Sequence, residues 1–346
     1  MSGLPWIDWV LAERVGTAWV PPGPVAHRDE RAQLVRELRA AAARAPAIVG
    51  AVAQLPDTGC CRELVVDRAR LVRANLQSAR SMLTAAGSLP EQPPGGGPAL
   101  AAGRGRGVAL GAVLAFLGSR ILGQFDPFAA TPTLLLSAPS IMAVERQLGV
   151  VPSDFRMWVV LHEQTHRVQF AAAPWLRELL GDQVRALVTA ADGGWWRDLA
   201  DQAAGLLRAR RAGRPLSLSL VQAVSVPEQT AALDRITAVM SLLEGHADVM
   251  MDRAGVGVIP SLWTIRSRFN ARRARGGAAS LLGRLLGMDA KLQQYADGAR
   301  FCRTVLRRGG LPVLNRVFSG PEAIPSLTEL LDPDRWLRRI DADGQA

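Results

Sequence analysis

The sequence predicts a mainly α-helical protein of the α+β class with one small β-sheet or hairpin. Apolar residues recur at intervals of three and four positions over most of the 346 residues, and this is the period of an amphipathic helix. A short apolar run within TPTLLLSAPSIM, residues 131–142, is the one segment that favours a strand. No internal repeat is present, so the pattern indicates a globular helical fold rather than a repeat array.

The first part of the chain is predicted to contain two long helices, at 31–55 and 60–86, because both segments have the helical spacing of apolar residues. Residues 89–107 are rich in glycine and proline, which predicts a flexible connection. The predicted division is therefore an N-terminal helical region, 1–90, and a second region, 91–346. The alternative is one continuous domain over 1–346.

The longest apolar run extends from Gly107 to Gly118 and is bounded by Arg106 and Arg120. A membrane-spanning helix needs about 20 apolar residues, so we interpret this run as a buried helix whose glycines allow close packing. The N-terminus has no signal-peptide pattern, and the three cysteines lack metal-binding spacing. These features predict a cytoplasmic protein without a membrane span.

The second half is predicted to be helical at 154–170, 174–191, 227–255 and 278–310. Ser153 or Asp154 is the expected N-cap of the first of these helices. The net charge of +10 comes almost entirely from arginine. These arginines are dispersed and aromatic residues are only 5% of the chain, so nucleic-acid binding is not expected.

The helix at 154–170 contains His162-Glu163-x-x-His166. Residues four apart on a helix lie on the same face, so both imidazoles can bind one zinc ion at about 2.0–2.1 Å. Glu163 lies beside the first histidine, where it can take a proton from a water molecule without binding the metal. The pattern predicts two ligands and a general base, and it includes two of the four histidines in the chain.

A catalytic zinc ion usually has three protein ligands and one open position. The segment SLLEGHADVMMD offers Glu244, His246 and Asp248. Glu244 and Asp248 share a helix face, whereas His246 points about 200° away from Glu244. We predict Glu244 as the third ligand and Asp248 as the group that orients a zinc-binding histidine. A His-His-His site that uses His246 is the alternative.

Several blocks of the sequence resemble the zincin-like, gluzincin-related metallopeptidases of high-GC bacteria, which are often associated with deazaflavin-coenzyme biosynthesis. The resemblance covers most of the chain and runs through LGQFDP, LLLSAPSIMAVERQLGVVPSDFRMWVVLHEQTHRVQF, PWLRELL, AVMSLLEGHADVMMD and KLQQYADGARFCRTV. It implies zinc at His162, His166 and Glu244, with Glu163 as the catalytic base. No segment of this chain reads as a flavin site.

These observations predict a zinc-dependent hydrolase that cleaves a peptide or protein substrate with water. Tyr295 is a candidate donor to the developing oxyanion. The segment Thr133–Ser137 is a candidate sheet edge for an extended peptide. The alternative function is a non-catalytic protein in which zinc stabilises a scaffold for interaction.

Overall fold

A computed structural model describes residues 5–56, 61–86, 89–90, 92–189, 204–205, 208, 227–274 and 293–343. Most of these residues are helical. The helices are α1 Trp9–Trp19, α2 Arg28–Ala53, α3 Arg68–Ala86, α4 Gly97–Gly118, α5 Ala138–Leu148, α6 Pro152–Ala172, α7 Trp175–Thr189, α8 Pro227–Gly255, α9 Leu262–Ala274, α10 Gln293–Asn315, α11 Leu327–Leu331 and α12 Pro333–Asp343. Short 3-10 turns follow α10 at Arg316–Phe318 and Pro321–Ala323.

The sheet has three short strands: β1 Arg62–Val66, β2 Gly123–Asp126 and β3 Thr133–Ser137. The strand order is β1-β3-β2. β3 is parallel to β1 and antiparallel to β2. All five residues of β3 are buried, as expected for a central strand. The predicted fold class, mainly helical with a small sheet, is confirmed.

The predicted helix at 60–86 is wrong at its start, because Arg62–Val66 forms β1. Val65 and Val66 suit a strand, since β-branched side chains pack well on a pleated surface. Asp67 ends this strand, and its carboxylate accepts a 2.6 Å hydrogen bond from the backbone N–H of Arg70. This hydrogen bond caps α3, so the helix begins only at Arg68.

The prediction of a flexible connection over 89–107 is also wrong in part, because α4 begins at Gly97. The glycines of α4 instead allow a close approach to α1: a Cβ on Gly111 would lie 2.5 Å from the carbonyl oxygen of Ala12. By length and composition α4 could cross a membrane, but 56% of its apolar window is buried within the protein. Burial of this kind is typical of a core helix.

The region before residue 90 and the region after it contact each other through many pairs of elements. Among them, β1 pairs with β3, α1 packs on α4, and α2 packs on α6. The division of the chain near residue 90 stays a prediction.

Three clusters of buried apolar residues hold the described elements together. The larger core lies between β3 and helices α2, α6, α8 and α10, and a smaller one is formed by α1, α3 and α4. The smallest cluster joins β1, α3 and β3 through Val66, Leu71 and Leu135. α6 and α8 contact each other inside the larger core, so side chains on their facing sides are withdrawn from bulk water. Any polar group at this contact needs a partner within the protein.

The predicted helices at 174–191 and 227–255 correspond to α7 and α8. Residues 293–310 of the predicted helix at 278–310 lie in α10, and residues 278–292 lie outside the described residues. The expected N-cap of α6 is wrong, because Pro152 already stands in its first turn. Asp154 instead accepts hydrogen bonds from the backbone N–H and the hydroxyl of Ser261, at 2.9 and 2.6 Å.

Candidate metal centre

α6 presents His162 and His166 on one face, one helical turn apart. Their Nε2 atoms are 3.1 Å from each other, and their ring planes are nearly perpendicular, at 88°. The side chains are 18% and 13% exposed, respectively. Each ring is therefore held by the core while its Nε2 atom faces a shared, partly open position.

Glu244 approaches the same position from α8. Its Oε2 is 3.4 Å from Nε2 of His162, and its Oε1 is 3.7 Å from Nε2 of His166. One ligand atom from each of the three residues lies within 4.8 Å of the other two. The structure thus brings the two imidazoles of α6 together with a carboxylate of α8 that is far from them in the sequence.

The spacing of these donor atoms fits a tetrahedral zinc ion. Ligands bound at about 2.0–2.1 Å in tetrahedral geometry are separated from one another by roughly 3.3 Å. The three separations here, between 3.1 and 3.7 Å, bracket that value. Three protein ligands leave the fourth position for water or substrate, which is the arrangement of a catalytic site rather than of a closed structural one.

The electrostatics of the cluster also favour a cation. Burial lowers the pKa of His162, but the hydrogen bond that His162 donates to the carboxylate of Glu244, together with the negative charge of Glu244, outweighs burial and raises this pKa to about 9. Burial lowers the pKa of His166, and the charge of His162 lowers it further. One positive charge is therefore held between the three side chains, at the point where a metal ion would bind.

Glu163 is buried beside this cluster, with 7% of its surface exposed. Its carboxylate packs on β2: a Cβ on Gly123 would lie 2.9 Å from Oε1 of Glu163. Burial raises the pKa of Glu163 to about 7, and the charge of Glu244 acts in the same direction, whereas His162 and a hydrogen bond from the Phe125 backbone oppose the rise. This carboxyl group can therefore gain and lose a proton near neutral pH.

Asp248 has a different partner from the predicted one. Its Oδ1 accepts a 3.1 Å hydrogen bond from Arg266, whose guanidinium also binds Asp252 at 2.6 Å. The residue that contacts the second nitrogen of a cluster histidine is Gln169, with its Oε1 2.9 Å from Nδ1 of His166. The prediction that Asp248 orients a zinc-binding histidine is therefore wrong, because its hydrogen-bonding partner is Arg266. Gln169 is three residues after His166, and that spacing on a predicted helix was the sequence signal for it.

His246 does not join the cluster. Its side chain is fully buried, its Nδ1 lies 2.9 Å from Nε2 of Gln169, and its ring meets Phe318 edge-on. The helical geometry explains this, because a residue two positions after Glu244 leaves α8 in nearly the opposite direction. The His-His-His alternative does not match this arrangement.

Two further predictions concern positions outside the cluster. The backbone of Tyr295 belongs to α10, but its side chain lies outside the described residues. Thr133–Ser137 is the central strand of the sheet, so the prediction that it forms a free sheet edge is wrong. The edge strand that contacts Glu163 is β2.

Comparison with known proteins places the chain in a family. A family model described as zincin-like metallopeptidase matches residues 7–337, so the chain belongs to this family. Membership of the family implies a bound metal, usually zinc. A crystal structure from Chloroflexus aurantiacus, described as "a putative hydrolase with a novel fold", is similar at 28% identity with a TM-score of 0.66. The alignment covers 97% of this chain and 99% of that one. Among proteins with curated descriptions, no match is found.

Proposed function

We propose that this protein is a zinc-dependent hydrolase that cleaves peptide bonds in the cytoplasm. The observation that carries the proposal is the cluster of His162, His166 and Glu244 at tetrahedral spacing, with the buried carboxyl group of Glu163 beside it. Membership of the zincin-like family and the likeness to a protein described as a hydrolase support the same reaction class.

When bound, zinc supplies a Lewis acid that acidifies a water molecule and polarises a carbonyl group. Glu163 accepts a proton from the attacking water and returns it to the leaving amine. Without zinc, burial raises the pKa of Glu163 to about 7; the charge of a bound zinc ion would lower this pKa and favour the carboxylate form that accepts the proton. The close packing of Gly123 on Glu163 holds the carboxyl group in one place for these transfers.

The position of β2 supports an extended peptide or protein as the substrate. β2 is an edge strand that pairs with β3 on one side. Within the part of the chain that the structure describes, no strand pairs with its other side. A peptide could add to this edge through main-chain hydrogen bonds, and its scissile bond would then pass close to Glu163.

The proposal is tested by incubating the zinc-loaded protein with peptide libraries and comparing wild type with Glu163→Gln. We expect Glu163→Gln to lower kcat by about 10²- to 10⁴-fold, the usual contribution of a general base, while zinc content is unchanged. Glu178→Gln, an exposed position on α7, is the matched control and should keep wild-type kcat.

Two results would contradict the proposal. Cleavage at the wild-type rate by Glu163→Gln would exclude this residue as the base. Stoichiometric zinc in a wild-type protein that cleaves no peptide would favour the alternative, in which zinc stabilises an interaction scaffold by joining α6 to α8.

A further inference from the structure

The side chain of Gln169 connects the two helices that supply the metal ligands. It belongs to α6, is completely buried, and accepts at Oε1 from Nδ1 of His166, 2.9 Å away. Its Nε2 lies 2.9 Å from the carbonyl oxygen of Leu243 and 2.9 Å from Nδ1 of His246. Both of these partners belong to α8, the helix that carries Glu244.

The carbonyl oxygen of Leu243 determines which way the amide of Gln169 points. A carbonyl oxygen can only accept hydrogen bonds, so the group that faces Leu243 must be the NH₂ group of Gln169. The amide oxygen must then face His166, and Nδ1 of His166 must carry a hydrogen. The Nε2 atom of His166 is consequently left with a free lone pair, directed at the position shared with His162 and Glu244.

His246 strengthens this orientation. The second N–H of the Gln169 amide donates to Nδ1 of His246, so the ring hydrogen of His246 lies on Nε2. The Nε2 atom of His246 is buried and has no hydrogen-bond partner among the described residues. A buried donor without a partner opposes folding, so the contact that His246 makes with Gln169 is the evident reason for a histidine here.

We propose that Gln169 is a positioning residue for zinc: it holds His166 in the tautomer whose Nε2 can bind the metal, and His246 and the Leu243 carbonyl hold Gln169. The inference depends on the proposed zinc site. It adds two contacts of Gln169 with α8, at Leu243 and His246, and one contact within α6, at His166. Outer residues that orient a metal-binding histidine typically contribute 10- to 100-fold to metal affinity.

Gln164 offers a matched control for a merely structural role. It is also a fully buried glutamine of α6, and it makes side-chain hydrogen bonds to Glu63 at 2.5 Å and from Arg167 at 2.6 Å. None of its hydrogen bonds reaches His162, His166 or Glu244. Gln164→Met and Gln169→Met thus remove the same group, at the same burial, from opposite sides of one helix.

The experiment measures the zinc dissociation constant of each protein by competition with a chelating indicator at fixed pH. We expect Gln169→Met to bind zinc about 10- to 100-fold more weakly than wild type, and Gln164→Met to bind it like wild type. The cobalt-substituted proteins provide a second readout: Gln169→Met should show a changed visible absorption spectrum, because the geometry around the metal changes, and Gln164→Met should not.

Equal zinc affinity in wild type and Gln169→Met, or the same loss in both methionine variants, would overturn the inference while the zinc site itself stands. A wild-type protein that fails to bind zinc would instead overturn the proposed function, and this inference with it.

If Gln169→Met does not fold, His246→Leu and His246→Asn replace it. Only asparagine keeps an acceptor near the position of Nδ1, so zinc affinity should fall in His246→Leu and be retained in His246→Asn; equal affinities would overturn the inference.

Discussion

Two helix contacts in this protein are built in opposite ways. Where α1 meets α4, the buried residues of α4 are all apolar or glycine, and backbone approaches backbone at Gly111. Where α6 meets α8, the fully buried residues include Gln169 and His246, whose side chains hydrogen-bond to each other across the contact. The first contact gains stability from close packing, whereas the second buries polar groups that each need a partner.

The difference indicates which contact carries function. Burial of polar side chains opposes folding unless their hydrogen bonds are satisfied, so a concentration of such residues at one helix pair points to a role other than packing. At this contact Gln169 hydrogen-bonds to His166, a candidate ligand, and to His246. Substitutions at the α6–α8 contact should therefore change zinc affinity or turnover, and substitutions at the α1–α4 contact should change stability alone.

The largest effect is expected at Glu244. Glu244→Ala removes one of three donors and should weaken zinc binding by more than the ~100-fold that an outer residue contributes. Asp248→Ala, one helical turn later, should instead leave zinc bound and lower the free energy of unfolding by about 1–3 kcal/mol, because Arg266 loses a partner. Zinc titration and urea unfolding of both variants check the prediction. A larger loss of zinc affinity in Asp248→Ala than in Glu244→Ala would contradict it.

Zinc affinity should also depend on pH. In the zinc-free protein the pKa of His162 is raised from 6.5 to about 9, and zinc must displace this proton. Affinity should therefore rise roughly tenfold per pH unit below pH 9 and level off above it. Because the folded pKa is the higher one, the contribution of His162 to the stability of the zinc-free protein should be fully present below about pH 6.5 and be lost as pH rises through 9. Competition assays and unfolding curves across this range measure both trends, and a zinc affinity that is flat between pH 6.5 and 9 would argue against proton competition at His162.

Gly123→Ala tests the position of the general base. The new Cβ would lie 2.5 Å from Cγ of Glu163, so the carboxyl group must move. A displacement of about 1 Å can cost up to 100-fold in rate, and we expect a 10- to 100-fold lower kcat with unchanged zinc affinity. Gly181→Ala on α7 meets nothing within 4 Å and serves as the control. If Gly123→Ala has the same kcat as Gly181→Ala, the packing of β2 on Glu163 has no part in turnover.

The smallest effect on function is expected at the α1–α4 contact. Gly111→Ala places a Cβ 2.5 Å from the Ala12 carbonyl oxygen and should lower the free energy of unfolding by about 1–3 kcal/mol, as overpacking does. Gly105→Ala in the same helix meets nothing within 4 Å and should stabilise the protein by up to about 1 kcal/mol. Zinc affinity should stay at the wild-type level in both variants, and a loss in Gly111→Ala would show that the two helix contacts are not independent.

The sequence predicted the parts of this arrangement that depend on local spacing. The helical periodicity located α6 and α8, and the i, i+4 relation placed His162 and His166 on one face. β1 was missed because the apolar pattern of RELVV is too short to distinguish a strand from the first turn of a helix. The parallel pairing with β3 that stabilises β1 is a long-range contact, which local spacing does not indicate. Asp248 was given the wrong partner for a similar reason: Arg266 lies on another helix, and nothing in the spacing along α8 indicates its approach.

The central claim is that His162, His166 and Glu244 together hold one zinc ion, and zinc titration of wild type against the double variant His162→Ala/His166→Ala tests it most directly. We expect one tightly bound zinc per wild-type chain and none in the folded double variant at zinc concentrations that saturate the wild type. One tightly bound zinc in both proteins would show that the metal binds elsewhere and would contradict the account.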